Sequence, residues 1–298
     1  MFRFRFVLVP VLASLFLTGA ACLTSAEDVL RLGVFTDMHV HDTESPNEGK
    51  IMSNYAERLT AFVDAMNQWP ADAVLQLGDF VNGAFVMGAD LGDPTRIPAL
   101  LDHGVELVSG FAGPVHHVIG NHDVYDLTKE QFLAATGLEH TWYSFDLGGF
   151  HFVVLDAQFN RDGESYGKIG WMVQGTIPQA ELDWLAEDLA ATEHPTIILI
   201  HQPLDSDFSL TAGGPPISNH LEVRDLLVAS GRVIAVFQGH THHASHREID
   251  GIHYVTFEAM VDHTEPTPPS WGAVTLDNAA RTLLIEGAGN QPDLSLSF

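Results

Sequence analysis

Five short apolar runs, each closing on a polar cluster, constrain this chain more than any other feature of its sequence. Leu30–Phe35 runs into Thr36-Asp37-Met38-His39, Ala73–Leu77 into Gly78-Asp79, and Val115–Ile119 into Gly120-Asn121-His122-Asp123. Thr196–Ile200 runs into His201-Gln202-Pro203, and Val233–Phe237 into Gln238-Gly239-His240. None alternates apolar with polar residues, which predicts strands buried on both faces. Such strands need helices over them, and three helical patterns are present. Asn54–Trp69 sets Leu59, Phe62, Val63 and Met66 on one face. Pro178–Ala190 carries a stripe of Leu182, Leu185 and Leu189, and Asn219–Ala229 offers Asn219 as its N-cap. Gly148-Gly149, Asp250-Gly251 and Asp277-Asn278 predict hairpin turns. The expectation is an α/β (α+β) fold: two packed, mixed sheets with helices on their outer faces. Ligands of such sheets gather at strand C-terminal ends, so the five clusters should converge in space.

The first 26 residues read as a secretory signal peptide. Arg3 and Arg5 precede an apolar run from Phe6 to Leu17, and Thr24-Ser25-Ala26 supplies small residues for cleavage after Ala26. That leaves 27–298 as one domain, exported to the periplasm or outside the cell. Gly19-Ala20-Ala21-Cys22 is the alternative, a lipoprotein box that would anchor the chain to a membrane through Cys22. Cys22 is the only cysteine, so the folded body has neither disulfide nor thiolate and any metal must be held by nitrogen and oxygen.

Thirteen basic residues stand against 39 acidic ones, a net charge of −26. A surface so negative repels phosphate backbones and anionic lipid, which excludes nucleic acid as a broad partner. A small anionic substrate is still admissible if the site brings its own positive charge.

The strand-end clusters supply that possibility. Asp37, Asp79 and Asn121 offer oxygens; His39, His201, His240 and His242 offer imidazoles. Three oxygen ligands and four imidazoles suit a pair of borderline divalent cations, with Mn, Fe, Zn and Co all compatible. Asp37-x-His39 and His240-x-His242 are spaced i and i+2, which on an extended strand end puts both side chains on one side. His243 and His246 then fall on the rim or surface.

Taken together, the clusters resemble the calcineurin-like metallophosphoesterases over roughly residues 30–290. That family's D-x-H, G-D-x-x, G-N-H-[DE], isolated His and G-H-x-H stand here as Asp37-Met38-His39, Gly78-Asp79, Gly120-Asn121-His122-Asp123, His201 and Gly239-His240-Thr241-His242. The resemblance implies a four-layer αββα sandwich around a dinuclear centre. It places Asp37, His39, Asp79 and His242 on one metal and Asp79, Asn121, His201 and His240 on the other, with Asp79 bridging. It leaves His122 off the metals, as the group that stabilises developing charge or protonates the leaving oxygen, with Asp123 fixing its tautomer. Two cations about 3.5–4 Å apart trap a bridging hydroxide at neutral pH and clamp the phosphoryl oxygens during attack. The implied activity is hydrolysis of small-molecule phosphodiesters or pyrophosphates; the alternatives are a phosphomonoesterase on the same site and a non-catalytic metal-binding surface module.

Asn82 stands where purple acid phosphatases carry a Tyr, three residues after the bridging Asp, which sets this chain apart from the Fe(III)–tyrosinate branch. Leu75–Gly83, Val115–Tyr125, Phe152–Ala157, Gln179–Leu185 and Gly251–Glu258 are more similar to manganese-dependent ADP-ribose/CDP-alcohol diphosphatases. That subgroup often has Gln in place of His39.

Substrate contacts are expected from Asn121 and His122. Tyr55 and Arg58 share a helical face and could meet a phosphate or a base, against a plain helix-surface role. Asp156, Gln158 and Asn160 either line the pocket or bond within their loop, and Trp271 either caps the site or packs. His116 and His117 lie in a strand and read as structural.

Overall fold

Residue 33 shows why the central strand admits no bulk: a Cβ at Gly33 would lie 2.6 Å from Met66 Cγ, on the helix packed above it. In the computed structural model, residues 29–43, 50–86, 89–165, 175–205, 216–261 and 268–298 are described; the N-terminal segment and Cys22 lie outside them. The strands are β1 (Val29–Phe35), β2 (Ala73–Gln76), β3 (Phe85–Val86), β4 (Ala89–Asp90), β5 (Val115–His117), β6 (Tyr143–Leu147) and β7 (Phe150–Val154). They continue as β8 (Thr196–Leu199), β9 (Val233–Gln238), β10 (Ser245–Ile249), β11 (Ile252–Thr256), β12 (Trp271–Asp277), β13 (Thr282–Ala288) and β14 (Leu294–Ser297). Five α-helices are described: α1 (Tyr55–Gln68), α2 (Ile97–Val108), α3 (Lys129–Thr136), α4 (Gln179–Ala191) and α5 (His220–Ser230).

One sheet has the order β14-β13-β12-β1-β2-β5, with β1, β2 and β5 parallel. The other has the order β10-β11-β9-β8-β7-β6, with four parallel strands between antiparallel edges. Leu32, Val34 and Leu75 of the first sheet meet Phe152, Leu199 and Phe237 of the second in the layer between them. Phe62, Leu101 and Phe132 bring α1, α2 and α3 onto the outer face of the first sheet. Leu185 and Leu227 bring α4 and α5 onto Ile198 and Val236 of the second. Each such buried Leu or Phe contributes about 1.5–3 kcal/mol. The four layers αββα are those expected.

Three local expectations need correction. The run Val115–Ile119 stops being a strand at His117, because its one neighbour, β2, ends at Gln76, the partner of His117. Asn219 does not cap α5 with its side chain. Its amide instead accepts from Thr176 Oγ1 and Ile177 N and donates to Ile177 O, pinning the segment that leads into α4. Helices α2 and α3 were not anticipated. No helix among the described residues is long and apolar enough to cross a membrane.

At the N-terminal end of β7, His151 is held between two carboxylates: Nδ1 lies 2.6 Å from Asp146 on β6 and Nε2 2.8 Å from Asp188 on α4. Ser144 donates to the other oxygen of Asp188. The Asp188 hydrogen bond raises the His151 pKa above 6.5, against the pull of burial and with help from Asp146. Burial works to raise Asp188, and the His151 and Ser144 hydrogen bonds outweigh it, leaving it below 3.8. The His151 contribution to stability is complete below about pH 6.5 and is lost as pH rises through the elevated folded value. The Asp188 contribution is complete above about pH 3.8 and is lost as pH falls through the lowered one. The clasp is therefore strongest between those limits. With Asp146 well exposed, His151→Ala is expected to destabilise the chain by about 1 kcal/mol more at pH 5.5 than at pH 9. Urea unfolding at both pH values measures this, and an equal loss at both contradicts it.

Candidate metal centre

The parallel strands deliver the polar clusters to one edge of the sandwich, from β1, β2 and β5 on one side and β8 and β9 on the other. The ligand-bearing residues do not continue their strands, which corrects the expected alternation. Asp37, His39, Asp79, His240 and His242 all have positive φ, from 48° to 70°. Side chains other than glycine rarely occupy that region, at a cost of about 1–3 kcal/mol each. Asp37 and His39 share a side through left-handed backbone at both positions, and so do His240 and His242. Hydrogen bonds between neighbouring loops hold these kinks. Asp37 N donates to Gly78 O, His39 N to Asp79 O, Gly239 N to His201 O and Met260 N to Thr36 O, each at 3.0 Å. A Cβ at Gly120 would strike the backbone and carboxylate of Asp79, and one at Gly239 would strike the side chains of Thr36 and Asp37. Loops this close require glycine at both places.

Among the described residues, ligand atoms converge in three groups: Asp37, His39 and His242; His39, Asp79 and His122; and Asp79, His201 and His240. His242 Nε2 lies 3.2 Å from Asp37 Oδ1 and 3.1 Å from His39 Nε2. Asp79 Oδ2 lies 3.1 Å from His201 Nε2 and 3.7 Å from His39 Nε2. His240 Nδ1 lies 3.3 Å from His201 Nε2. Asp79 thus belongs to both halves.

The supporting hydrogen bonds leave inward-facing lone pairs. His39 Nδ1 donates to Asn82 Oδ1 at 2.9 Å, and His201 Nδ1 donates to the Leu77 carbonyl at 2.8 Å, so each ring turns its Nε2 inward. Asp37 Oδ2 accepts from Thr36 Oγ1 and from His240 N, while Asp37 Oδ1 is buried without a hydrogen-bond partner. Asn121 Oδ1 is buried without one too. Acceptor atoms packed this closely need positive charge between them, so the residues fit divalent cations. The protein's own electrostatics express the same need. Burial opposes a charge on His201, yet the Asp79 and Asp37 carboxylates raise it to about 9. Burial and the neighbouring His201 push His240 down to about 4. Burial would raise Asp37 and Asp79, and His201 outweighs it, holding both well below the usual carboxylate range.

His122 is buried beside Asp79, its backbone N–H donating to Asp79 Oδ1 at 2.7 Å and its Nε2 3.9 Å from Asp79 Oδ2. Its ring stands edge-on to His39 and to Tyr125, with centroids 4.5 and 4.8 Å away. Burial holds its pKa well below the ordinary imidazole value, against the pull of Asp79, so the ring is neutral.

The family model for calcineurin-like phosphoesterases matches residues 30–244. The chain belongs to the calcineurin-like phosphoesterases. Human manganese-dependent ADP-ribose/CDP-alcohol diphosphatase is 23% identical, covering 92% of this chain and 94% of that protein. A probable cyclic nucleotide phosphodiesterase of Psychrobacter arcticus is 23% identical over 73% of this chain and 75% of its own. A dimetal phosphatase from Danio rerio superposes with a TM-score of 0.72 at 19% identity, covering 90% of this chain and 99% of that one. As a calcineurin-like phosphoesterase, the chain is a metal-dependent hydrolase of phosphoric esters.

Within this phosphoesterase site, several expected side chains serve other ends. Arg58 is buried and donates through Nη1 to the Met260 carbonyl, bracing the segment whose amides bond Thr36 and Asp37. Tyr55 is buried, with its hydroxyl 2.7 Å from His103 Nδ1. Both side chains are thus buried and engaged within the interior, which corrects the helix-surface alternative. Asp123 accepts from Val81 N and Gly120 N, tying the β2 and β5 loops together rather than steering the His122 ring, whose Nδ1 has no hydrogen-bond partner. Burial and the Asp79 charge raise Asp123 to about 7. Asp156 and Gln158 bond within the interior rather than lining a pocket. Trp271 packs against Phe62. His117 is buried and His116 stacks on Phe145. His243 is exposed and His246 pairs with His253.

Two contributors escaped the sequence reading. Asn82, read there only as an absent Tyr, orients His39. Lys50 is buried, and its charge disfavours protonation of both His39 and His122, which places a cation beside the site. A single Lys in a polar stretch carries no sequence signal of that kind.

Proposed function

We propose that this chain hydrolyses small-molecule pyrophosphates or phosphodiesters at phosphorus, in a centre built on Asp79. The observation that carries the reading is that Asp79 lies in two of the three ligand groups, one with His39 and the other with His201 and His240, while His122, neutral and buried, is fixed next to it. Asp37, His39, Asp79, Asn121, His201, His240 and His242 would hold two divalent cations, which would supply Lewis acidity toward the phosphoryl oxygens and the attacking water. The edge-on contacts of His39 and Tyr125 keep the His122 ring from swinging. Its N–H is then a preset donor for a phosphoryl or leaving oxygen as charge develops there. Lys50 adds positive charge beside the site in a chain whose net charge is −26, which favours an anionic substrate locally. Similarity to the human manganese-dependent ADP-ribose/CDP-alcohol diphosphatase supports manganese and a pyrophosphate linkage.

The test is a panel on manganese-loaded enzyme: ADP-ribose, CDP-choline, glycerophosphodiesters, bis-p-nitrophenyl phosphate and p-nitrophenyl phosphate. At least one pyrophosphate or diester is expected to exceed p-nitrophenyl phosphate in kcat/KM by about tenfold or more. Preference for the monoester makes the chain a phosphatase, and no turnover of any of them by metal-loaded protein removes the hydrolase reading.

The same reading extends to location. A leader ending at Ala26 means export, and its removal takes away two arginines and no acid, carrying the charge from −26 to −28. Protein in the exported fraction that begins at Glu27 supports this, lipid on Cys22 makes it a lipoprotein, and an intact Met1 in the cytosol contradicts both.

A further inference from the structure

Gln158 and Gln202 face each other in the interior and exchange amide hydrogen bonds, Gln158 Nε2 to Gln202 Oε1 at 2.8 Å and Gln202 Nε2 to Gln158 Oε1 at 2.9 Å. Both are buried. Gln158 Nε2 also donates to the Ile119 carbonyl at 3.1 Å. Both amide hydrogens of Gln158 and its carbonyl are thereby committed, which leaves the group a single orientation. Gln202 directly follows His201, and Ile119 lies two residues before Asn121. One side chain therefore spans the loops that carry two ligands of the second half-site.

Gln158 belongs to neither loop. It follows β7, and its own backbone is fixed from outside the centre. Its N–H donates to Asp156 Oδ1 at 2.7 Å, Asp156 Oδ2 accepts from Lys129 at the start of α3, and Asp156 N donates to Glu181 on α4 at 2.8 Å. The third ligand loop is tied by another buried amide. Gln238, two residues before His240, accepts from Leu204 N and donates to Asp205 and Thr256. The loops of Asn121, His201 and His240 are thus linked sideways by glutamines. The His39 and Asp37 side of the centre is supported instead by Asn82 and Thr36.

We propose that Gln158 is the positioning residue of the second half-site, setting the spacing of the Asn121 and His201 loops and with it the affinity for the cation they share with His240. The inference rests on the two-metal reading given under the proposed function. It makes the two half-sites separately adjustable: Gln158 governs the Asn121–His201–His240 side, and Asn82 governs the Asp37–His39–His242 side.

The experiment is manganese titration of the full-length protein by calorimetry, with Mn(II) electron paramagnetic resonance to distinguish single ions from coupled pairs. Wild type should bind two ions per chain. Gln158→Met should weaken one site by about 10–100-fold and leave the other within about twofold. At two equivalents and sub-saturating concentration it should show a larger isolated-ion signal than wild type, in which the coupled pair forms. Asn82→Ala should weaken the other site. Should Gln158→Met fail to fold because Gln202 loses its bonds to Gln158, Gln158→Met combined with Gln202→Met removes both amides and carries the same comparison. Equal weakening of both sites in either variant, or unchanged affinities with only a lower Tm, overturns the positioning role. Fewer than two sites in wild type overturns the two-metal reading and this inference with it.

Discussion

Asp79→Asn is expected to lower kcat/KM by on the order of 10³-fold or more and to leave at most one manganese ion per chain. The substitution keeps the size of the side chain and an oxygen able to accept the His122 N–H, now at 2.7 Å, so the loop geometry survives. What is lost is the charge that links His39 on one side to His201 and His240 on the other. Several kcal/mol of transition-state stabilisation depend on that charge, and about 4 kcal/mol corresponds to three orders of magnitude. His201 would also lose the carboxylate that most raises its pKa. Steady-state kinetics together with metal analysis of purified protein measure both effects. Activity within tenfold of wild type, or two tightly bound ions, would show that Asp79 is not the shared ligand.

His122→Ala is expected to cut kcat by roughly 10²–10⁴-fold while metal content stays at the wild-type level. The two effects separate because His122 supports Asp79 through its backbone N–H, which alanine retains, while its imidazole is the only part lost. The ring is neutral and held between His39 and Tyr125, and it makes no hydrogen bond through Nδ1. Its removal therefore takes away a preset donor and little else near the ligands. His39, Asp79 and His122 also converge closely enough to hold an ion, so the alternative outcome is definite. Loss of one metal from His122→Ala would make His122 a ligand and transfer its proposed donor role elsewhere.

The strand-end clusters were legible because strands buried on both faces leave a residue pattern that does not depend on distant contacts. The convergence of Asp37, Asp79, His201 and His240 then follows from where parallel strands end. The conformation of those ends was not legible. Nothing in the residue types Asp and His announces five left-handed positions, and the i, i+2 spacing suggested an extended strand instead. Helix α2 carried a readable signal that the sequence reading passed over, with Ile97, Leu100, Leu101 and Val108 on one face and Pro98 in the first turn; Gly104 lets α2 pass close to Phe80 and Val40. Helix α3 did carry a readable signal, the Thr128–Gln131 capping box, in a segment too short for periodicity to show. Arg58 illustrates the remaining gap. Its partner, the Met260 carbonyl, lies about 200 residues away in sequence, and no local pattern encodes a contact of that range.

Anomalous diffraction from manganese-loaded crystals tests the central claim most directly. The expected result is two peaks about 3.5–4 Å apart on either side of the Asp79 carboxylate, one among Asp37, His39 and His242 and the other among Asn121, His201 and His240. A single peak, or peaks away from Asp79, would contradict it.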